Sequence, residues 1–331
     1  MYFDVASRYT SPAMALSGHF WTVYPTLKHT LAPARAPEAG PWSTTVPDAD
    51  LGTVTLTGAL RDHPGSDTCL VVVHGLGGAI DGFYNVQAAR AAERLGMSCL
   101  RLALRGADRL GEDFYHAGLV DDLTAALQSP ALARYRHLML IGYSLGGHMV
   151  LRWALTPSDA RVRALVAMCA PLVLGETSAS LDRPAARPYR AAVLLGLKQI
   201  YASVAARRTV PTDLAEVLRV RTLREWDQLT VVPRFGFDSV DDYYARMSVG
   251  PWLADLKRPA LIVHSEHDPM IPLATYEHLT TGDLPLVTWS RPTCGGHVAF
   301  PQDVDLRLSG LARRAGEDAE TQSLRWMLQQ R

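Results

Sequence analysis

Cysteine is scarce, long apolar runs are missing, and neither sign of charge is in excess. The four cysteines, Cys69, Cys99, Cys169 and Cys294, form no C-x-x-C pair, and the first three stand in apolar, strand-like runs. That pattern excludes a disulfide framework and reads as reduced thiols in a cytoplasmic protein. No stretch approaches the length of apolar chain that spans a bilayer, so no transmembrane helix is expected. Asp4 and Arg8 stand near the start with no long apolar core beside them, so no secretory signal is expected. Lys+Arg and Asp+Glu both number 33, a formal net charge of zero. This removes the electrostatic ground for a nucleic-acid partner or for bulk attraction to a membrane. Internal repeats and low-complexity segments are absent as well. What remains is a chain of 331 residues, 48% hydrophobic, long enough for one large α/β domain or two average ones.

The chain is organised around residues 137–154, HLMLIGYSLGGHMVLRWA. Leu138 to Ile141 is a short apolar run with the character of a buried strand, and Val150 to Leu155 has good helix formers and no proline. Between them stands Gly142-Tyr143-Ser144-Leu145-Gly146, a G-x-S-x-G pattern. Between a strand and a helix, this pattern is a nucleophile elbow, a strained turn that presents a serine hydroxyl. The turn brings strand and helix so close that side chains two residues before and after the serine would clash, which is why glycines are needed there. The helix aims its N-terminus at the site, favouring negative charge on a reaction intermediate.

Strand-like and helix-like segments alternate around this stretch. Residues 1–50 read as an N-terminal arm. It holds an aromatic segment from Gly18 to Pro25, then an irregular connection marked by Pro33, Pro37, Pro41 and Pro47. Thr53 to Leu60 alternates like a strand with one solvated face. Further strands are read at Cys69–Val73, Ser98–Leu104, Leu138–Ile141, Arg161–Cys169, Pro259–His264 and Leu284–Ser290. Helices are read at Asp81–Leu95 and Leu119–Leu127, with a closing helix inside Leu311–Gln330. Such alternation implies parallel βαβ units with right-handed crossovers. From 172 to 256 helical periodicity replaces the strands. The expected layout is therefore a core of residues 51–171 and 257–331 with a helical cap at 172–256. Within the cap, Arg183 to Arg224 carries nine Lys/Arg against Asp213 and Glu216. It reads either as a solvated face or as a patch for an anionic substrate or lipid headgroup.

The run Cys69–Val73 ends in His74-Gly75-Leu76-Gly77-Gly78. A dinucleotide loop also follows a strand, but Ile80 stands where the third glycine of G-x-G-x-x-G belongs. The next strand meets Arg105-Gly106, with no acid to hold a ribose. The better reading is an oxyanion loop, with the N–H groups of Leu76 and Leu145 as donors. A serine nucleophile needs a base, and the base needs an orienting carboxylate. Ser144 is followed in chain order by Asp268, just beyond a strand, and by His297, just beyond the next. Both therefore fall at the carboxyl edge of the sheet, where the elbow lies. His264, His267 and Asp268 could suggest a metal site, but residues three apart on a strand end point to different faces. A Cys294–His297 pair offers a poorer nucleophile than the elbow. His116 and His148 read as structural histidines, the latter bordering the pocket.

With these motifs assembled, the chain resembles the YheT-like branch of the α/β-hydrolases, the AB hydrolase 4 family. The likeness runs through nearly the whole sequence. It includes Gly18-His19 with Thr22-Val23-Tyr24-Pro25, the His74–Gly78 loop, Leu104-Arg105-Gly106, Tyr115-His116-Ala117-Gly118 and the elbow. It continues through Arg224-Glu225-Trp226-Asp227, Gly236-Phe237 with Asp242-Tyr243-Tyr244, His264 through Pro269, and Gly295-Gly296-His297-Val298. The resemblance implies an α/β-hydrolase fold and a carboxylic-ester hydrolase with Ser144, Asp268 and His297 as its triad. It also implies short-chain or lipid esters as substrates. The chain departs from the family pattern at Asp48-Ala49-Asp50-Leu51 (usually Asp-Gly), at His148 (usually Asn) and at Ala299-Phe300-Pro301. The last two are expected to bear on the pocket.

The expectation is thus a mostly parallel sheet flanked by helices, a helical cap, and a small-molecule acyl ester cleaved without a cofactor. Acyl transfer to an alcohol or thiol, thioesterase action on the same triad, and a non-catalytic binding protein on this fold stand as alternatives. Oligomeric state is not legible. Sequence alone generates one sharp test. Asp268 and Glu266 both follow the strand ending at His264, but Asp268 precedes Pro269, which keeps it out of a helix at the sheet edge. Asp268→Asn should cut kcat by orders of magnitude and Glu266→Gln should cost little. The reverse result in steady-state kinetics would remove Asp268 from the acid role.

Overall fold

The computed structural model describes residues 12–330; residues 1–11 of the expected arm, Asp4 and Arg8 among them, lie outside that range. The first described element is a helix, α1 (Pro12–Leu31), where the aromatic segment was expected to form an arm. Two strands follow, β1 (Gly40–Asp48) and β2 (Gly52–Arg61). The core then alternates: β3 (Thr68–Val73), α2 (Phe83–Arg94), β4 (Ser98–Leu102), α3 (Val120–Leu127), β5 (His137–Tyr143), α4 (Leu145–Trp153) and β6 (Val162–Met168). Six helices come next: α5 (Leu174–Leu181), α6 (Arg187–Ala205), α7 (Leu214–Arg219), α8 (Leu223–Leu229), α9 (Val231–Phe235) and α10 (Val240–Met247). The core closes with β7 (Ala260–Val263), α11 (Ala274–Glu277), β8 (Val287–Ser290) and α12 (Ala319–Leu328).

The eight strands form one sheet in the order β1-β2-β4-β3-β5-β6-β7-β8. β1 with β2 and β2 with β4 are antiparallel; every other pair is parallel. The uninterrupted Val/Leu/Ile runs of β3 and β7 are buried along their whole length, as strands covered by helices on both faces must be. β1 differs from expectation, and the arm is therefore shorter than 1–50. Pro41 and Pro47 read as loop punctuation, yet both sit inside a strand. The reason is position: β1 is the sheet edge, where a missing N–H costs no ladder bond. At the other end β8 is shorter than Leu284–Ser290, because Pro285 precedes it and Val287 N–H closes a turn onto Leu284 C=O at 3.0 Å. Register aligns the strand ends. Val73 pairs with Gly142, Tyr143 with Met168, Met168 with Val263, and Val263 with Ser290. The loops after β3, β5, β7 and β8 therefore emerge together.

The inserted helices are tied to the sheet by a buried charge network. Arg105, beyond the end of β4, bonds Asp122 through two nitrogens at 2.6 and 3.0 Å, Asp113 at 3.0 Å and Asp48 at 2.6 Å. Arg234 on α9 reaches the same Asp48 at 3.0 Å and Asp113 at 2.8 Å. Burial pushes the Asp48 carboxyl up, but the Arg105 hydrogen bond, local amides and the Arg234 charge outweigh it and hold it at about 2. Asp48 belongs to the stretch that departs from the family pattern, and it is a bridge between β1, β4 and the insertion. Arg234→Ala should leave Asp48 and Asp113 short of a partner and lower unfolding stability by roughly 2–4 kcal/mol. Arg224→Ala removes only the exposed pair with Asp241 and should change it little. Chemical denaturation of both variants checks the contrast.

Candidate active site

Ser144 sits between β5 and α4 with φ 52° and ψ −121°, a backbone conformation rare for a residue with a side chain. Its N–H donates to Met168 C=O at 2.8 Å, fastening the turn to β6. The two glycines are needed for approach. A methyl on Gly142 would overlap the Gly146 backbone, and one on Gly146 would overlap the carbonyl oxygens of Val73 and His74. Beneath the turn, Tyr143 is fully buried and its hydroxyl lies 3.3 Å from Glu320 on α12.

The loop after β3 lies directly beside the serine; a Cβ on Gly75 would stand 3.1 Å from that of Ser144. Two tyrosines hold its backbone. Gly75 N–H donates to the Tyr84 hydroxyl at 3.2 Å and Gly77 N–H to the Tyr115 hydroxyl at 2.7 Å. Leu76 lies between these two committed amides. Leu145 is the first residue of α4, where a helix leaves N–H groups without intrahelical partners. Sequence reading gave neither tyrosine this role, because no motif spacing links Tyr84, nine residues beyond Gly75, or Tyr115, thirty-eight beyond Gly77, to the loop.

Asp268 and His297 meet as their chain order suggested. Nδ1 of His297 is 2.8 Å from Oδ2 of Asp268, and both residues are buried. The other oxygen, Oδ1, accepts the N–H groups of Met270 at 2.8 Å and Ile271 at 3.0 Å. Burial opposes ionisation of Asp268, but the adjacent His297 and these amides outweigh it and hold the carboxyl below its usual range. Glu266 takes no part in this bond. The backbone N–H of His297 donates to Thr22 Oγ1 on α1 at 2.8 Å, so the first helix positions the histidine loop. Cys169 lies close enough to Asp268 and His297 to form a three-ligand cluster. Burial pushes its thiol well above the usual value, and the S–H donates to the Gly296 carbonyl at 3.7 Å. His264, weighed with His267 and Asp268 as a metal set, is stacked on Tyr276 with a centroid spacing of 3.9 Å.

Ser144 and His297 open on one cavity of about 600 Å³, which Leu76 and Leu145 also line. Its far wall comes from the insertion, including Leu174, Leu181, Val193, Trp226 and Val231. Asp227 faces the cavity too. Its Oδ2 accepts the Tyr244 hydroxyl at 2.7 Å, and burial pushes its carboxyl up to about 7. None of the nine Lys/Arg between 183 and 224 lines the cavity. Several are committed elsewhere: Lys198 to the carbonyls of Leu218 and Val220, Arg190 to that of Leu181. His148 and Ala299-Phe300-Pro301, expected to bear on the pocket, do not themselves line it. His148 instead faces the carbonyls of Pro171 at 2.6 Å and Met247 at 2.9 Å, joining α4 to the insertion. His116 does line the cavity, with Nδ1 accepting the Gly118 N–H at 3.1 Å.

A mostly parallel sheet with a strained serine at one strand end, and an Asp–His pair delivered from two others, defines the α/β-hydrolase class. A family model described as alpha/beta hydrolase fold matches residues 68–304. "Putative esterase YheT" of Escherichia coli (strain K12) is 31% identical over 250 residues, 70% of each chain. The monoacylglycerol lipase of Saccharomyces cerevisiae is 22% identical over 184 residues, 51% of this chain and 39% of the lipase. Among solved structures, the Pyrococcus furiosus esterase Pf2001 superposes with a TM-score of 0.51 at 16% identity, covering 80% of this chain and 90% of that one. The chain belongs to the α/β-hydrolase family, in its YheT-like branch.

The support under the elbow is testable by pH. Burial, with the Asp318 charge adding to it, raises Glu320 from 4.5 to about 8. A raised folded value means stability fully present below the unfolded value and lost as pH rises through the folded one. Glu320→Gln cannot ionise, so its stability relative to wild type should climb between about pH 4.5 and about 8, by a few kcal/mol in all. Thermal melts across that range read the trend, and a flat difference refutes it.

Proposed function

We propose that the protein hydrolyses carboxylic esters through an acyl-enzyme on Ser144. The observation that carries the reading is the His297–Asp268 bond of 2.8 Å, delivered to the same apolar cavity as a serine on a strained elbow. In this reading His297 takes the Ser144 proton as the hydroxyl oxygen attacks the ester carbonyl. Asp268 holds the imidazole in one tautomer and stabilises the imidazolium. The N–H groups of Leu76 and Leu145 receive the oxyanion, a contribution typically worth about 10²–10³ in rate per donor. His297 returns the proton to the leaving alcohol, then activates the water that releases the acid. No cofactor is called for.

The cavity supports an apolar acyl group as substrate, because aliphatic and aromatic side chains of the insertion face the serine across it. Ser144→Ala should lower turnover by about 10³-fold or more with the fold intact. With wild type, kcat/KM for a series of straight-chain esters should rise by up to about fourfold per methylene until the cavity is full, the equivalent of about 0.8 kcal/mol per buried methylene. A folded Ser144→Ala protein with near wild-type turnover overturns the mechanism. A preference for acetyl over longer acyl groups overturns the substrate class.

A further inference from the structure

Helix α1 is packed inside out. Its inner face is small or polar: Gly18 backs onto the His267 carbonyl, Thr22 holds the His297 loop, and His29 bonds the Asp81 carbonyl at 2.9 Å. Its large apolar residues, Leu16, Phe20, Val23, Tyr24, Leu27 and Leu31, each leave between 42% and 77% of their surface in solvent. With 3.6 residues per turn these six share an arc of about 100°, centred opposite Gly18, Thr22, Pro25 and His29. A helix in water normally turns such a stripe to the core, so this one is made for an apolar partner. Six of the ten exposed large hydrophobics among the described residues stand on this one helix.

We propose that this face of α1 seats on the surface of an anionic phospholipid bilayer. Charge decides the occupant. Residues 12–31 contain Lys28 and no acid, and Arg187, the first residue of α6, is exposed to solvent. The two helices are joined where His19 Nδ1 meets the Tyr189 hydroxyl at 2.5 Å, two residues from the exposed Arg187. Asp81, beside His29, is ion-paired with Arg101. An anionic headgroup layer meets Lys28 and Arg187 while the stripe enters the acyl boundary. Phe20 and Tyr24 stack at 4.8 Å, and such aromatics favour that interface. No helix among the described residues is long and apolar enough to cross a membrane, so α1 lies on the surface and does not span it. Val23 and Leu27 also border the cavity, which places its mouth at the lipid. The hydrolase reading explains why a mouth belongs there, but binding is measured without turnover.

The test is co-sedimentation of the full chain with vesicles of phosphatidylcholine alone or with about a quarter phosphatidylglycerol. Wild type should partition at least tenfold more strongly into the anionic vesicles, and added salt should weaken it. The triple variant Leu16→Gln, Phe20→Gln, Leu31→Gln should lose at least about tenfold in partitioning while keeping turnover of a water-soluble ester. The charge variant Lys28→Glu, Arg187→Glu should lose the anionic preference with the stripe intact. Leu218→Gln with Trp252→Gln, exposed apolar residues elsewhere, should bind like wild type. Ser144→Ala should also bind like wild type, so failed hydrolysis and failed binding are separate results. No partitioning by wild type, or equal loss in the Leu218/Trp252 control, overturns the proposal. So does equal affinity for neutral vesicles, or a wild-type dimer that the triple variant dissolves without any change in vesicle binding.

Discussion

Gly146 lies so close to the carbonyl oxygens of Val73 and His74 that no larger residue fits, and the rest of the site depends on that approach. It forces the start of α4 against the end of β3, placing the Gly75–Gly77 loop beside Ser144. It also requires the turn that puts Ser144 at φ 52°, since a relaxed turn would carry the helix away from the neighbouring strand. Such strain persists only when the surroundings over-determine it. Here the Ser144 N–H is held by Met168 and Tyr143 is locked beneath by full burial against Glu320.

A second constraint works from the opposite side of the sheet edge. Arg105 is buried among three carboxylates, and Arg234 shares two of them. The pairing fixes α9 to the β1–β2 turn and so fixes the insertion over the strand ends. Removing either cation would leave buried charge uncompensated, so the network fixes position while intact and costs stability when broken. The cavity between insertion and sheet inherits its shape from this attachment.

Helix α1 belongs to both layers. Thr22 positions the His297 loop, His19 meets Tyr189 of the insertion, and the outward apolar face remains uncovered among the described residues. A formal net charge of zero does not register that α1 carries Lys28 and no acid, because the count averages the whole chain. Local arrangement, not the total, governs attraction over a Debye length.

The sequence by itself determined the parallel core, the elbow at Ser144 and the candidate acid and base, for a physical reason in each case. Buried strands read as continuous apolar runs, close backbone approach demands glycine at Gly142 and Gly146, and a proline after Asp268 keeps the acid at a strand end. Strand β1 escaped because an edge position tolerates Pro41 and Pro47, and an edge is a property of the sheet and not of the segment. The tyrosines that hold the Leu76 loop, the Arg234 bridge and the support of His297 by Thr22 join residues separated by up to 275 positions. No local periodicity records such pairs. Nor does periodicity say which face of an amphipathic helix turns inward: α1 has an apolar stripe legible in one dimension, and only packing against a glycine, a threonine and a histidine loop decided that the stripe points out.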